Sequence, residues 1–272
     1  MSALLLGSAG CSRPNPAYVA LDASAVVVDA PAEADAPSPA LDGAPTADGE
    51  VDAAMADAPP DAGSDAPTAI AGLVAHWPLD EGQGTAARDA TGNINDGSLL
   101  NGPSWIASAG AGAALHLDGS DDYVELAIRT LPRVEAAKSI GVWFRNAATT
   151  PRLRNLVAFF NDTMNSGIHL GFDTDQVAVW RYGDFDPIIK STAAPGGGWH
   201  HLAYSWDGTT HHLYLDGALI GTSTANVKNG AIQTARLGAW QAPDEMFSGD
   251  LDDVRVYGRA LTAEEIAILA RP

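Results

Sequence analysis

The residues best suited to hold a ligand lie in the second half of the chain. Trp180, Tyr182 and Phe185 stand beside Asp184 and Asp186. Aromatic faces cover the C–H surface of a sugar while carboxylates accept from its hydroxyls, so this set reads as a glycan-stacking platform. Trp240, in the segment Ala239–Asp244, is a second aromatic of the same kind. The competing role is packing, because Trp and Tyr in small β domains usually fill the core. Trp77, Trp143, Trp199 and Trp206 are expected there.

Two other chemistries can be weighed against binding. Retaining glycoside cleavage needs two carboxylates about 5–5.5 Å apart, which one strand supplies at a spacing of two residues. Asp250/Asp252 and Asp184/Asp186 have that spacing. Neither pair stands in the aromatic, glutamate-bearing context of a glucanase motif, and no Gly-x-Ser-x-Gly elbow is present. No catalytic residue is expected. The pairs His200-His201 and His211-His212 suggest zinc, but neighbours on a strand face opposite sides, so each pair can give one ligand at most. His201 and His211 can meet across a hairpin, yet no cysteine or third ligand accompanies them, and they read as structural.

The elements that must position these residues are strands. Trp199–Gly217, WHHLAYSWDGTTHHLYLDG, reads as a hairpin: two runs rich in aromatic and branched residues flank Asp207-Gly208-Thr209-Thr210, and Asp216-Gly217 turns the chain into a third strand, Ala218–Thr222. Gly supplies the positive φ that such turns need. Further strands are expected at Leu73–Trp77, Ala113–Asp118, Tyr123–Leu126, Ser139–Asn146, Leu156–Asn161, Gly167–Phe172, Gln176–Tyr182, Ala235–Trp240 and Gly249–Tyr257. Asp89–Asn101, dense in Gly, Asn and Asp, is expected as a loop. Only Leu261–Leu269 has helical character, with Thr262 at the cap and Glu265 at the capping-box position, and it is expected to close the sandwich edge. Short strands without intervening helices give an all-β, two-sheet antiparallel sandwich ending in one short helix.

Composition divides the chain into 1–11, 12–72 and 73–272. All seven Trp follow Ile70, while Ser12–Gly72 has one aromatic, Tyr18. That leader holds nine Asp and two Glu against one Arg, so it carries −10 of the total −19. Rich in Ala, Asp and Pro, it cannot bury enough to offset its ordering entropy and is expected to be a disordered spacer. The acidity argues against nucleic acid, whose phosphates need Lys and Arg. Cys11 is the single cysteine, so no internal disulfide forms. Ala3-Leu4-Leu5-Leu6 followed by Ser8-Ala9-Gly10-Cys11 resembles the end of a bacterial lipoprotein signal, with Cys11 as the lipidated residue. It departs from that pattern in having Ser8 where Leu is usual and no preceding Lys or Arg. Membrane attachment is expected only there, and the placement is extracellular or on the cell surface of a bacterium.

Five motifs in order, LVAHWPLDEGQGTAARDATGNINDGSLLNGPSW, ALHLDGSDDYVEL, SIGVWFRN, WHHLAYSWDGTTHHLYLDGALIGTS and FSGDLDDVRVYGRALTAEEIAIL, resemble the laminin-G-like jelly roll of the concanavalin A-like lectin/glucanase superfamily. The resemblance implies a jelly-roll sandwich acting as a binding module for a glycan or an extracellular protein. It also implies a calcium ion at the rim, taking oxygens from Asp89–Gly97 and from the last long strand. Asp89, Asn93 and Asp252 are the expected ligands, since Ca²⁺ takes six to eight hard oxygens in flexible geometry. Strand alternation puts Asp252 on the face of Val254 and Val256, partly buried and in need of a cation or several donors. The alternative ligand-free role has Asp89 and Asn93 capping their own turn and Asp252 paired with Arg255 or Arg259. The alternative functions are a secreted adhesive domain without a small-molecule ligand and a degenerate glycoside hydrolase.

Overall fold

The computed structural model describes residues 69–271 except 109–111, 148–152, 162–165, 184–185 and 241–244. The leader up to residue 68, with Cys11, and also Asp184 and Phe185 lie outside the described residues.

The described part is a sandwich of two antiparallel sheets, as expected, with strands numbered in chain order. The first sheet runs β14 (Ala218–Ser223), β13 (His211–Leu215), β12 (Trp199–Trp206), β7 (Lys138–Asn146), β16 (Ser248–Tyr257), β5 (Ala113–Asp118), β4 (Ser104–Ala107), and β1 (Leu73–Trp77) also pairs with β16. The second runs β11 (Ile189–Lys190), β10 (Gln176–Arg181), β9 (Gly167–Asp173), β8 (Arg154–Phe160), β15 (Thr234–Leu237), β6 (Tyr123–Leu126), β3 (Gly97–Leu100), β2 (Ala86–Ala87). β2, β3, β4 and β11 are short edge or near-edge strands that the pattern of residues does not announce. β3 occupies the end of the segment expected as loop.

Alternation along each strand sends one set of side chains into the space between the sheets. Ile140, Val142 and Phe144 of β7, Leu202, Tyr204 and Trp206 of β12, Ile168, Leu170 and Phe172 of β9, and Val177 and Val179 of β10 form one core with Trp77. The hairpin forms where expected, with Trp206 opposite His211 and Leu202 opposite Leu215. Asp216 and Gly217, both at positive φ, turn β13 into β14.

Two expectations are corrected. β16 carries a bulge between Asp252 and Arg255, with Asp253 at φ 46°. An extra residue in the strand lets both Leu251 and Val254 enter the core, so Asp252 is not on the face of Val254 and Val256. The helix α1 (Ala263–Leu269) has its capping box, Thr262 with Glu265. It does not close an edge: Ile266 and Leu269 pack with Ala203, Tyr214 and Tyr257, covering part of the first sheet's outer face.

Candidate functional site

The outer face of the second sheet is where the expected sugar-binding aromatics come together. On β8, β9 and β10 the residues between the core side chains are Ala158, Phe160, His169, Ala178 and Trp180, and all five are buried. Pairing aligns Trp180 with His169 and His169 with Ala158. Gly171 must be glycine, because a Cβ there would lie 1.9 Å from the carbonyl oxygen of Arg154. Tyr182 follows β10 directly, held by its N–H on the Gly167 carbonyl at 3.3 Å. Trp240 follows β15, its carbonyl accepting from Arg236 Nη1 at 2.9 Å.

These elements deliver one aromatic cluster. Tyr182 stacks on Phe160 with ring centroids 5.3 Å apart and planes 12° from parallel. Trp240 stands edge-on to Tyr182 at 5.8 Å and to His169 at 5.0 Å. His169 is 4% exposed, and burial lowers its pKa to about 3, so the imidazole is neutral at physiological pH. Its Nε2 and the Nε1 of Trp240 are both buried without a hydrogen-bond partner. Of the expected residues, Tyr182 and Trp240 meet here. Trp180 shares the face but is only 7% exposed. Phe160 and His169 were missed by sequence reasoning, although two signals point outward: Phe159-Phe160 cannot both face one side, and His169 sits between Ile168 and Leu170.

The rim expected to hold calcium is built differently. The Asp89 carboxylate, in a residue 8% exposed, accepts five hydrogen bonds. His76 N, Thr91 N and Thr91 Oγ1 donate to Oδ1 at 3.1, 3.0 and 2.6 Å. Asn95 N and Nδ2 donate to Oδ2 at 3.1 and 2.8 Å. Burial raises its pKa, but these hydrogen bonds outweigh burial and hold it below the ordinary value. Five donors saturate about four lone-pair positions, so Asp89 organises its loop and does not fit as a cation ligand. Asn93 caps the same loop, its N–H reaching Thr91 Oγ1 at 3.3 Å and its Nδ2 the Val74 carbonyl at 3.0 Å. Asp252 pairs with neither Arg255 nor Arg259. It accepts from Ser108 Oγ, while Asp253 takes Arg255 and His76 and Glu265 takes Arg259. Burial raises the Asp252 pKa to about 6 against the hydrogen bonds of Ser108 and the Asp253 backbone, and the charges of Asp253 and Asp80 push the same way as burial. Among the described residues, one acidic group has metal-ligand spacing, Asp118, Asp121 and Asp122 in the β5–β6 turn, and it contains none of the expected ligands.

On the outer face of the first sheet, register aligns His116, Asp250, Arg145 and Trp199 in one row and Asp252, Trp143 and His201 in the next. Trp143 and Trp199 are therefore half-exposed and not core, whereas Trp77 and Trp206 are core. Asp250 is held by Arg145 Nε at 2.6 Å and His116 Nδ1 at 2.7 Å, a carboxylate already committed to protein partners. His201 and His211 do not meet: His201 lies against Trp143, while His211 faces the core, stacked on Trp206 at 4.1 Å and bonded to Tyr204 Oη at 2.8 Å.

Residues 118–267 match the family model of the concanavalin A-like lectin/glucanases superfamily. No curated protein matches the chain significantly. Among solved structures, domain 4 of the extracellular GH43 arabinanase AbnA from Geobacillus stearothermophilus, seen with arabinotriose, is 24% identical with a TM-score of 0.58, covering 73% of this chain and 98% of its own. The binding domain of Paraclostridial Mosquitocidal Protein 1 is 16% identical with a TM-score of 0.56, and the match covers 73% of this chain and 52% of that one. Trypanosoma rangeli sialidase is 15% identical with a TM-score of 0.58, but the match covers only 33% of that enzyme. These likenesses establish a shared sandwich fold.

Proposed function

We propose, from the premise that this chain belongs to the concanavalin A-like lectin/glucanases superfamily, that its sandwich is a non-catalytic module binding a glycan on the outer face of the second sheet. The carrying observation is the cluster in which Tyr182 and Trp240 stand edge-to-face over Phe160 and His169. Crossed aromatic faces on a sheet suit a sugar ring with an apolar C–H side. In this reading Asp184, next in sequence to the Tyr182 turn, accepts from sugar hydroxyls, and Trp180 supports the sheet beneath. The arabinotriose on a domain of like fold supports the reading by analogy. The commitment of Asp250 to Arg145 and His116 supports the non-catalytic part.

A second reading, an adhesive domain for a protein partner, draws on half-exposed Trp143 and Trp199 on the first sheet. Calcium is carried as a separate proposal on the Asp252 side of the rim, where a half-buried carboxylate with a raised pKa lies near other acids. Lipidation of Cys11 and extracellular placement are likewise proposals, supported by the small-residue run before Cys11. No helix among the described residues is long and apolar enough to cross a membrane.

A glycan array with the full chain, with and without EDTA, tests the main reading. Hits that survive EDTA are expected, calcium-dependent hits would add the cation, and no hits in either condition would sink it. Loss of membrane partitioning on Cys11→Ala tests the anchor.

A further inference from the structure

We infer that the site on the second sheet takes an uncharged sugar, one hydroxyl of which sits against Trp240 Nε1 and His169 Nε2. This deepens the glycan reading and rests on it.

Three other indole N–H groups have acceptors. Trp77 donates to the Asn95 carbonyl at 2.9 Å, Trp105 to Gly84 at 3.0 Å and Trp206 to Glu135 at 3.3 Å. Buried His211 satisfies both ring nitrogens, on Tyr204 and Ala225, each at 2.8 Å, whereas His201 Nδ1 and His200 Nε2 on the first sheet are buried without a partner. On the second sheet Trp240 Nε1 and His169 Nε2 both lack a partner within one cluster, in rings whose centroids are 5.0 Å apart. Buried polar atoms without partners are costly, and two in contacting rings of one aromatic cluster call for an occupant that bonds both. A hydroxyl does so, accepting from the indole N–H and donating to the imidazole nitrogen or accepting from it.

Charge narrows the class. His169 is neutral, its pKa lowered by burial to about 3. Arg236, which reaches the Trp240 carbonyl, is tied to Glu125 with Nε to Oε2 at 2.6 Å. Residues 73–272 carry −9 of the total −19. A carboxylate or sulfate brought to this cluster would lose its hydration without gaining a counter-charge.

The test is calorimetric titration of the full chain with neutral arabino-, xylo- and gluco-oligosaccharides against uronic-acid or sulfated counterparts. A neutral series should bind, with the anionic counterparts about tenfold weaker or worse. Trp240→Phe keeps the ring and removes the N–H, and should weaken neutral binding about 3- to 10-fold. His169→Phe should weaken it comparably while raising Tm, because it deletes a buried nitrogen that has no partner; a purely structural histidine would lower Tm and leave binding alone. Anionic sugars binding as well as neutral ones, or both variants binding like the parent, would overturn the inference with the glycan reading intact. If neither series binds, the glycan reading falls and takes this inference with it.

Discussion

Tyr182 and Trp240 meet with their rings 5.8 Å apart and 87° from parallel, although one follows β10 and the other follows β15. Neither strand neighbours the other, since β9 and β8 lie between them. The contact therefore depends on the order of four strands, and with Phe160 and His169 it forms a platform over the middle of the sheet.

Tyr182→Ala should weaken glycan binding about tenfold and lower stability by about 0.5–1.5 kcal/mol, the worth of an aromatic pair. Calorimetry and urea melts of the same preparation check both. Unchanged binding would move the site elsewhere.

Asp89→Ala removes the acceptor of five hydrogen bonds from His76, Thr91 and Asn95. The expected loss is about 3 kcal/mol. Because the donors are protein groups, the loss should be the same in EDTA and in excess calcium. The folded pKa lies below the ordinary value of 3.8, so this stabilisation is present above that value and fades as pH falls through the folded one. A loss that appears only with calcium would make Asp89 a ligand after all.

Asp252 has the opposite sign. Its folded pKa is about 6 against an ordinary 3.8, so the folded chain holds the proton more tightly than the unfolded one. Its favourable contribution is full below about 4 and is lost as pH rises to about 6. Asp252→Asn should therefore gain Tm relative to the parent on going from pH 4 to pH 7. A difference that stays constant with pH would contradict the burial argument.

Gly171→Ala would place a methyl 1.9 Å from the Arg154 carbonyl oxygen, between strands that cannot separate without breaking the ladder. The expected cost is above about 3 kcal/mol, read as loss of soluble, cooperatively folding protein. A variant melting within a few degrees of the parent would show that β8 and β9 can shift.

The sequence by itself determined the sandwich, the Trp199–Gly217 hairpin and the capped helix, because alternation, Asp-Gly turns and a capping box are local and each has one physical reading. It also singled out Tyr182 and Trp240 as candidate ligand residues, which the structure brings into contact. Only the tertiary structure decided who meets whom. Phe160 and His169 join those aromatics through pairing across β8, β9 and β10, and a one-residue bulge that no periodicity announces turns Asp252 away from the face of Val254. The same holds for Asp89, whose loop supplies five donors to its own carboxylate, and for Trp143 and Trp199, which the register puts on the outer face of the first sheet. Local patterns say which side of a strand a residue takes; the order and register of the strands say which neighbour waits there.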